Sequence, residues 1–102
     1  MRMIVMFDLP VRTKKQRGEA ARFRNFLLND GYFMLQYSVY VRICGGLDSV
    51  ATHRARLSQN VPDNGSIRMM LVTERQYASI DLLLGNYTKQ EELVKAETLT
   101  LF

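Results

Sequence analysis

The sequence predicts one α+β domain in which an antiparallel sheet carries two helices on a single face. An apolar-rich stretch opens the chain, a stretch of helical period follows it, and alternating stretches come later. The length of 102 residues is enough for one domain with its own core. We therefore expect a single domain over residues 1–102, with a core at about residues 1–85.

The first strand is predicted over residues 2–8, RMIVMFD. It is apolar on both faces, which is typical of a central strand covered on both sides. Leu9-Pro10 ends it, and Thr13 is the expected N-cap of a helix that runs to about Asp30, where Gly31 stops it. At about 100° per residue, the apolar side chains of this helix fall in one stripe: Ala20, Phe23, Phe26 and Leu27.

The middle of the chain predicts a second strand and a second helix. Residues 33–43 alternate most clearly and are predicted as one strand, and Gly45-Gly46 is the turn after it. Asp48 to Asn60 is predicted as a weaker helix. Its expected apolar contacts are Val50, Ala51, Ala55 and Leu57.

The last third predicts strands separated by turns. Residues 66–73 are apolar on both faces and are predicted as the third strand. A turn at Glu74–Ala78 leads to a fourth strand near Ile80–Leu84, and the tail alternates like a fifth strand over about residues 97–102. If the last long strands pair as a hairpin, this order gives a ferredoxin-like antiparallel sheet.

Both helices of such a fold cover one sheet face and leave the other uncovered, although the first and third strands carry apolar residues there. An open apolar face on a small domain predicts a partner, and the most economical partner is a second copy stacked sheet to sheet. The C-terminal strand would then be added to the partner protomer's sheet.

Several sequence features narrow the function. The sequence gives no support for a dinucleotide-binding site, a P-loop or a zinc site, because it lacks the motifs GxGxxG, GxxxxGK[ST], CxxC and HExxH. The one cysteine, Cys44, is expected to be a small buried hydrophobe. His53, the one histidine, is interpreted as a solvated or phosphate-facing residue, since no acid lies near it in sequence. No apolar run reaches the length of a membrane span, so we expect a cytoplasmic protein with no membrane partner.

Positive charge is concentrated in the first two thirds of the chain. Residues 1–68 hold 11 Lys and Arg against 5 Asp and Glu, whereas residues 69–102 hold 3 against 5. Such a balance suits a polyanion, because neutralised phosphates release counterions, although a solvated helix face has the same composition. The candidate nucleic-acid contacts are the cations of the densest basic segment: Arg12, Lys14, Lys15, Arg17, Arg22 and Arg24.

Asp8 is the candidate for chemistry. It ends an apolar strand just before a proline, where a side chain emerges from the sheet edge. A turn aspartate has the same surroundings. The functional interpretation is a metal ligand, because Mg²⁺ is bound by one or two carboxylates together with waters and phosphate oxygens. Two copies could share the ion (Mg²⁺, or another divalent cation such as Mn²⁺) between their Asp8 carboxylates and direct water at a phosphodiester.

Four segments together resemble a known family. They are MIVMFDLP at residues 3–10, FRNFL at residues 23–27, GYFMLQYSVY at residues 31–40 and TERQY at residues 73–77. This combination is similar to the small CRISPR-associated adaptation protein, the "Cas two" family, and most similar to members from Cas9-type (type II) systems. The likeness covers nearly the whole chain.

The resemblance implies a ferredoxin-like homodimer that takes part in CRISPR spacer acquisition, where it binds protospacer duplex DNA and bridges integrase dimers. It also implies metal-dependent endonuclease activity on RNA or duplex DNA. It assigns the catalytic metal ligand to Asp8, basic contacts approximately to Arg17 and Arg22, and supporting roles to Ser38 and Tyr40. Some members have an arginine where this chain has Met34-Leu35.

Four hypotheses therefore stand beside one another. The protein is a scaffold that clamps a duplex by phosphate contacts, or a hydrolase that acts through paired Asp8 residues, and one surface could serve both. A stand-alone, toxin-like endoribonuclease on the same fold is the alternative. An RNA-recognition domain has less support, since its paired aromatic signatures are absent from the expected strands.

Overall fold

The structure is a computed structural model that describes residues 1–87. Its elements in chain order are β1 (Arg2–Asp8), α1 (Lys14–Asn29), β2 (Phe33–Gln36), β3 (Val39–Ile43), α2 (Leu47–Gln59), β4 (Ser66–Val72) and α3 (Glu74–Ala78). The tail strand expected at about residues 97–102 lies outside the described residues. Among residues 1–87 no helix is long and apolar enough to cross a membrane.

The four strands form one antiparallel sheet in the order β2-β3-β1-β4. Strand β1 is central, as its apolar faces predict, and it pairs along its whole length with β4, from Arg2 opposite Val72 to Asp8 opposite Ser66. With the connection β-α-β-β-α-β, this is the predicted ferredoxin-like fold.

Both long helices pack on one face of this sheet. Met3, Val5 and Phe7 of β1 meet the buried apolar side chains of α1 and α2 there. The ring of Phe7 makes an edge contact with Phe23, at 5.1 Å between ring centroids. The predicted α1 stripe is confirmed, because Ala20, Phe23 and Leu27 are buried and Phe26 is partly buried.

The prediction of one strand over residues 33–43 is wrong, because the chain reverses at Tyr37 and Ser38. Gln36 pairs with Val39 across this two-residue turn, and Ser38 adopts a left-handed backbone with a φ of 64°. The apolar alternation continues through the turn, since Phe33 and Leu35 lie in one cluster with Val39 and Val41. The periodicity therefore contained no sign of the hairpin.

Two other elements differ from expectation. Thr73 caps a short helix, α3, where a turn was predicted, and residues 80–84 form no strand, so the fold's hairpin is β2–β3 and not a pair of late strands. Ala51 and Ala55 of α2 are exposed, and His53 is buried between Val50 and Leu57 instead.

The second sheet face is apolar and mostly uncovered within the described residues. Ile4 and Val41 are buried there, and Tyr77 of α3 covers one end. Arg2 lies beneath α3, where its Nε donates to Glu74 Oε2 at 2.8 Å and its guanidinium carbon lies 4.5 Å from the centre of the Tyr77 ring. The rest of this face is lined by partly buried or exposed side chains such as Met6 and Met70.

Candidate metal and nucleic-acid site at the end of β1

Asp8 is exposed at the last position of β1, as the sequence predicts. Because β1 is the central strand, Asp8 lies between the first residues of β4 on one side and the turn before β3 on the other. Ser66 is its register partner at the start of β4. On the other side, the Phe7 N–H donates to the Ser38 carbonyl oxygen at 3.0 Å. The carboxylate therefore stands in the middle of one sheet edge.

A surface cleft of about 500 Å³ opens beside Asp8. Its lining joins the end of β1, the loop before α1 and the start of β4, and consists of Asp8, Pro10, Arg12, Gln16, Gly65 and Ser66. Gly65 is required at its position, since its φ is +111° and an added Cβ would lie 2.7 Å from the Asp8 carbonyl oxygen. The close approach of Gly65 to the Asp8 backbone forms this wall of the cleft.

Side chains of α1 hold the loop that follows Asp8. Thr13 and Gln16 form a capping box, in which the Gln16 side chain accepts from the backbone N–H groups of Arg12 and Thr13 at 3.0 and 3.1 Å. Arg17 Nη1 donates to the carbonyl oxygens of Val11 and Arg12, each at 3.2 Å. Side chains of α1 therefore bind both the N–H groups and the carbonyl oxygens of this loop, and Arg17 helps to hold its conformation.

The other predicted basic contacts divide into two groups along α1. Arg12 lines the cleft, and Lys14 and Lys15 are exposed in the first turn of α1 that follows it. Lys15 Nζ lies 3.9 Å from Glu19 Oε1, and because the lysine is exposed this ion pair contributes little to stability. Arg24 lies about 15 Å farther along the helix than Lys14, at about 1.5 Å per residue. Arg22 lines a separate groove of about 120 Å³ together with Glu19 and Asp63.

The residues expected from the resemblance lie on the hairpin side of Asp8. Ser38 is in the turn, where its carbonyl oxygen holds the Phe7 backbone. Tyr40 is 3 % exposed and stacks on Phe7, at 5.6 Å between ring centroids. Both residues fix the segment that carries Asp8, and Tyr40 does so from the core.

The donor set at this edge fits a hard divalent cation. Within residues 1–87 no cluster of three or more His, Cys, Asp and Glu is placed to hold a metal. A single exposed carboxylate on an open cleft suits Mg²⁺, which keeps several waters and is bound through one or two carboxylates plus substrate phosphates. It does not suit zinc, which takes nitrogen and sulfur ligands. Asp8 is the residue that would hold the ion.

Sequence reasoning missed a second polar cluster, at the opposite end of the sheet. The interpretation of His53 as solvated or phosphate-facing is wrong, since it is 7 % exposed and its Nδ1 lies 2.8 Å from Asp30 Oδ2. Arg56 Nη1 donates to the other carboxylate oxygen at 2.9 Å. Burial would raise the pKa of Asp30, but the hydrogen bonds from His53 and Arg56 outweigh it and hold that pKa below its ordinary value.

Cys44 is a buried free thiol in the core, as expected. It lies at the same end of the sheet as the Asp30 cluster and takes no part in the cleft beside Asp8. The charged groups around Asp30 therefore connect neighbouring elements, and Asp8 at the other end of the sheet stays the candidate for chemistry.

Comparison with known proteins agrees with this fold. The family model described as "CRISPR associated protein Cas2" matches residues 1–80. The chain belongs to the Cas2 family. It is 51% identical over 102 residues to the "CRISPR-associated endoribonuclease Cas2" of Acidovorax ebreus, with all of both chains covered. It is 42% identical to the protein of that name from Campylobacter jejuni, across the whole chain and 71% of the relative.

A solved structure of Cas2 from Streptococcus pyogenes, determined at pH 6.5, superposes with a TM-score of 0.63. The likeness covers 81% of this chain and 99% of that one, at 20% sequence identity, so it bears on the fold alone. The fold and family predicted from the sequence are thus both confirmed. The roles of Asp8, the basic residues of α1, Ser38 and Tyr40 stay predictions.

Proposed function

We propose that this Cas2 chain acts as a homodimer in CRISPR spacer acquisition, binding nucleic acid along the basic start of α1 and cleaving phosphodiesters at Asp8. The observation that carries the proposal is the cleft in which an exposed carboxylate, Asp8, shares a wall with Arg12. A carboxylate beside an exposed guanidinium suits a divalent metal and a phosphate ester together.

The basic residues at the start of α1 and the carboxylate of Asp8 have separate tasks in this proposal. Arg12, Lys14 and Lys15 neutralise backbone phosphates, which positions a strand without reading its bases. Asp8 holds Mg²⁺ or another divalent cation, such as Mn²⁺, which when bound supplies Lewis-acid polarisation of the phosphate and acidifies a water. In the hydrolysis, the oxygen of water bonds to phosphorus while the bond from phosphorus to the leaving oxygen breaks, and one proton of the water is transferred through solvent to the leaving oxygen.

Two protomers would bring two such edges to one nucleic acid. The open apolar face described above supports a homodimer, in which both Asp8 carboxylates could serve one ion. Family membership supports the further proposals that protospacer duplex DNA lies across this dimer and that CRISPR integrase dimers bind at its sides. RNA is the other substrate class, since the relatives bear the name endoribonuclease.

The test separates hydrolysis from scaffolding with one substitution. Asp8→Asn keeps the shape of the side chain and removes its charge. We expect it to slow Mg²⁺-dependent cleavage of RNA and duplex DNA by roughly a hundredfold or more, the loss typical when a group that stabilises developing charge is removed. Asp48→Asn is the matched control, because Asp48 is also an exposed carboxylate but lies on α2.

Spacer acquisition in cells that carry the integrase is the second measurement. If Asp8→Asn abolishes cleavage and leaves acquisition intact, the protein acts in adaptation as a scaffold and its hydrolysis serves another purpose. If both are lost, hydrolysis belongs to adaptation. Cleavage that survives Asp8→Asn at the rate of Asp48→Asn would contradict the catalytic role of Asp8.

A further inference from the structure

The tip of the β2–β3 hairpin presents one aromatic ring to solvent beside Asp8. Tyr37 is 77% exposed, and it is the one exposed aromatic side chain within residues 1–87. Isolated exposed apolar side chains are ordinary on protein surfaces, so exposure alone carries no argument. The backbone beneath Tyr37 and its position relative to the cleft supply two further observations.

The turn that carries Tyr37 is strained. Ser38 holds a φ of 64° in the left-handed region, which glycine and asparagine occupy readily and serine rarely does. It is the one residue other than glycine with a positive φ in residues 1–87. Strain of this kind persists where surrounding contacts impose it, and such positions cluster at functional sites.

The strained turn is attached directly to the candidate site. The Phe7 N–H donates to the Ser38 carbonyl oxygen at 3.0 Å, one residue before Asp8. Neighbouring strands are about 4.8 Å apart, so the hairpin tip lies about one strand spacing from the end of β1. The cleft with Arg12 lies on the β4 side of Asp8 and Tyr37 lies on the β3 side. A nucleic-acid strand that crosses this end of the sheet from the cleft toward the hairpin, with a phosphate held at Asp8, would pass the ring.

We propose that Tyr37 is a stacking platform for an unpaired nucleobase next to the phosphate held at Asp8. Aromatic rings bind bases face to face without sequence preference, since every base has a π-face. The faces of a base inside a duplex are covered by its neighbours, so this platform selects a single-stranded segment. The inference rests on the proposed function, because Asp8 and the start of α1 must hold the backbone for a base to reach the ring.

Binding of single-stranded RNA without divalent cation tests the platform apart from catalysis. We expect Tyr37→Ala to weaken binding of a short RNA about five- to a hundredfold and Tyr37→Phe to leave it within twofold, since a phenyl ring still stacks. Met34→Ala is the matched control, because Met34 is 51% exposed on the same hairpin. The DNA strand of the same sequence should show the same losses.

A set of RNAs with one abasic position each gives a readout that a structural role would not produce. The native protein should lose affinity at one position of the strand, and Tyr37→Ala should bind that abasic RNA and its parent equally. Because the chain has no tryptophan, Tyr37→Trp adds a single reporter whose emission should fall when RNA binds. Thermal melting and sedimentation of each variant show whether fold and oligomeric state are retained.

The outcomes separate the two proposals. Intact binding of RNA by Tyr37→Ala, or loss by Tyr37→Phe, overturns the stacking role and leaves the proposed function in place. A changed oligomeric state in Tyr37→Ala also overturns it, since the ring would then contact a second copy. If the native protein binds no nucleic acid, the proposed function and the inference both fail.

Discussion

At the scale of single residues, Asp30 shows how a partly buried carboxylate connects three elements. It follows α1, its carboxylate accepts from His53 and Arg56 of α2, and its carbonyl oxygen accepts from Arg42 Nε of β3 at 2.7 Å. The same charge affects Tyr32, since burial and then the nearby Asp30 raise the pKa of Tyr32 to about 12. An ionised Asp30 thus belongs to the native state.

We predict that Asp30→Asn removes stability that depends on pH. Because the folded pKa of Asp30 is lowered below its ordinary 3.8, the ionised group stabilises the fold above that pH and loses its contribution as pH falls through the folded value. Asp30→Asn should cost about 1–2 kcal/mol in free energy of unfolding near neutral pH, the size of a lost charged hydrogen bond. The difference from the native protein should shrink below about pH 4.

Urea unfolding of both proteins across the acid range measures this difference. Asp48→Asn is the comparison, since that exposed carboxylate should give a small effect with no such trend. A constant or growing gap between native protein and Asp30→Asn at low pH would show that the carboxylate does not act through its charge.

At the scale of elements, the start of α1 is electrostatically unusual. Its first turn contains no acidic residue, although acids stabilise the positive end of a helix dipole and cations there oppose it by about 0.3–1 kcal/mol each. The exposed Lys14 and Lys15 therefore reduce stability in the free protein. An anion bound at this turn would reverse the sign of that interaction.

We predict that this turn dominates the salt dependence of duplex binding. Each phosphate contact contributes about 0.9 to the slope of log K against log salt for B-DNA. Arg12→Gln together with Lys14→Gln should reduce the magnitude of this slope by nearly two and lower the affinity for duplex at low salt. Arg22→Gln should change it less, because Arg22 shares its groove with two acids, Glu19 and Asp63.

Arg54→Gln, an exposed cation on α2, is the matched control for this titration. If the native protein and the Arg12→Gln, Lys14→Gln double variant show equal slopes of log K against log salt, the start of α1 does not contact the duplex. Fluorescence anisotropy of a labelled duplex over a series of salt concentrations provides the measurement.

The elements also show what the sequence could and could not predict. Strand β1 and helix α1 were predictable because a break, a cap and a terminal glycine mark their ends: Pro10, Thr13 and Gly31. The hairpin at Tyr37 and Ser38 was not, since Tyr-Ser is not a residue pair typical of two-residue hairpins and the alternation continues through it. The site was predictable at Asp8, which ends a strand, whereas the pairing of Asp30 with His53 spans 23 residues and leaves no local pattern.

At the scale of the whole molecule, the uncovered sheet face and the segment after α3 both expose apolar side chains to solvent. Leu83 and Leu84 are 94% and 93% exposed, and Met70 on the open face is 47% exposed. The strands β1 and β4 are seven residues long, whereas β2 and β3 have four and five residues. Four strands about 4.8 Å apart, the longest of them seven residues at about 3.3 Å each, therefore give a face of at most roughly 19 by 23 Å. That area falls short of the about 800 Å² per partner of a stable interface, so we expect the leucines to extend it.

We therefore predict a dimer that depends on both surfaces. The native protein should sediment at about twice 11.8 kDa, and Met70→Glu or Leu83→Ser with Leu84→Ser should each raise the dimer dissociation constant at least tenfold. Leu28→Glu is the control, because Leu28 is 51% exposed but lies on α1, on the opposite side of the sheet. A native monomer, or equal weakening by Leu28→Glu, would contradict stacking through the open face.

Loss of the dimer should also lower Mg²⁺-dependent cleavage. Asp8 lies an even number of residues from Ile4 and Met6 along β1, so it is on the same sheet face as these two side chains, and stacking of two copies through that face would bring both Asp8 carboxylates together. Unchanged cleavage by a monomeric variant would mean that one Asp8 carboxylate suffices.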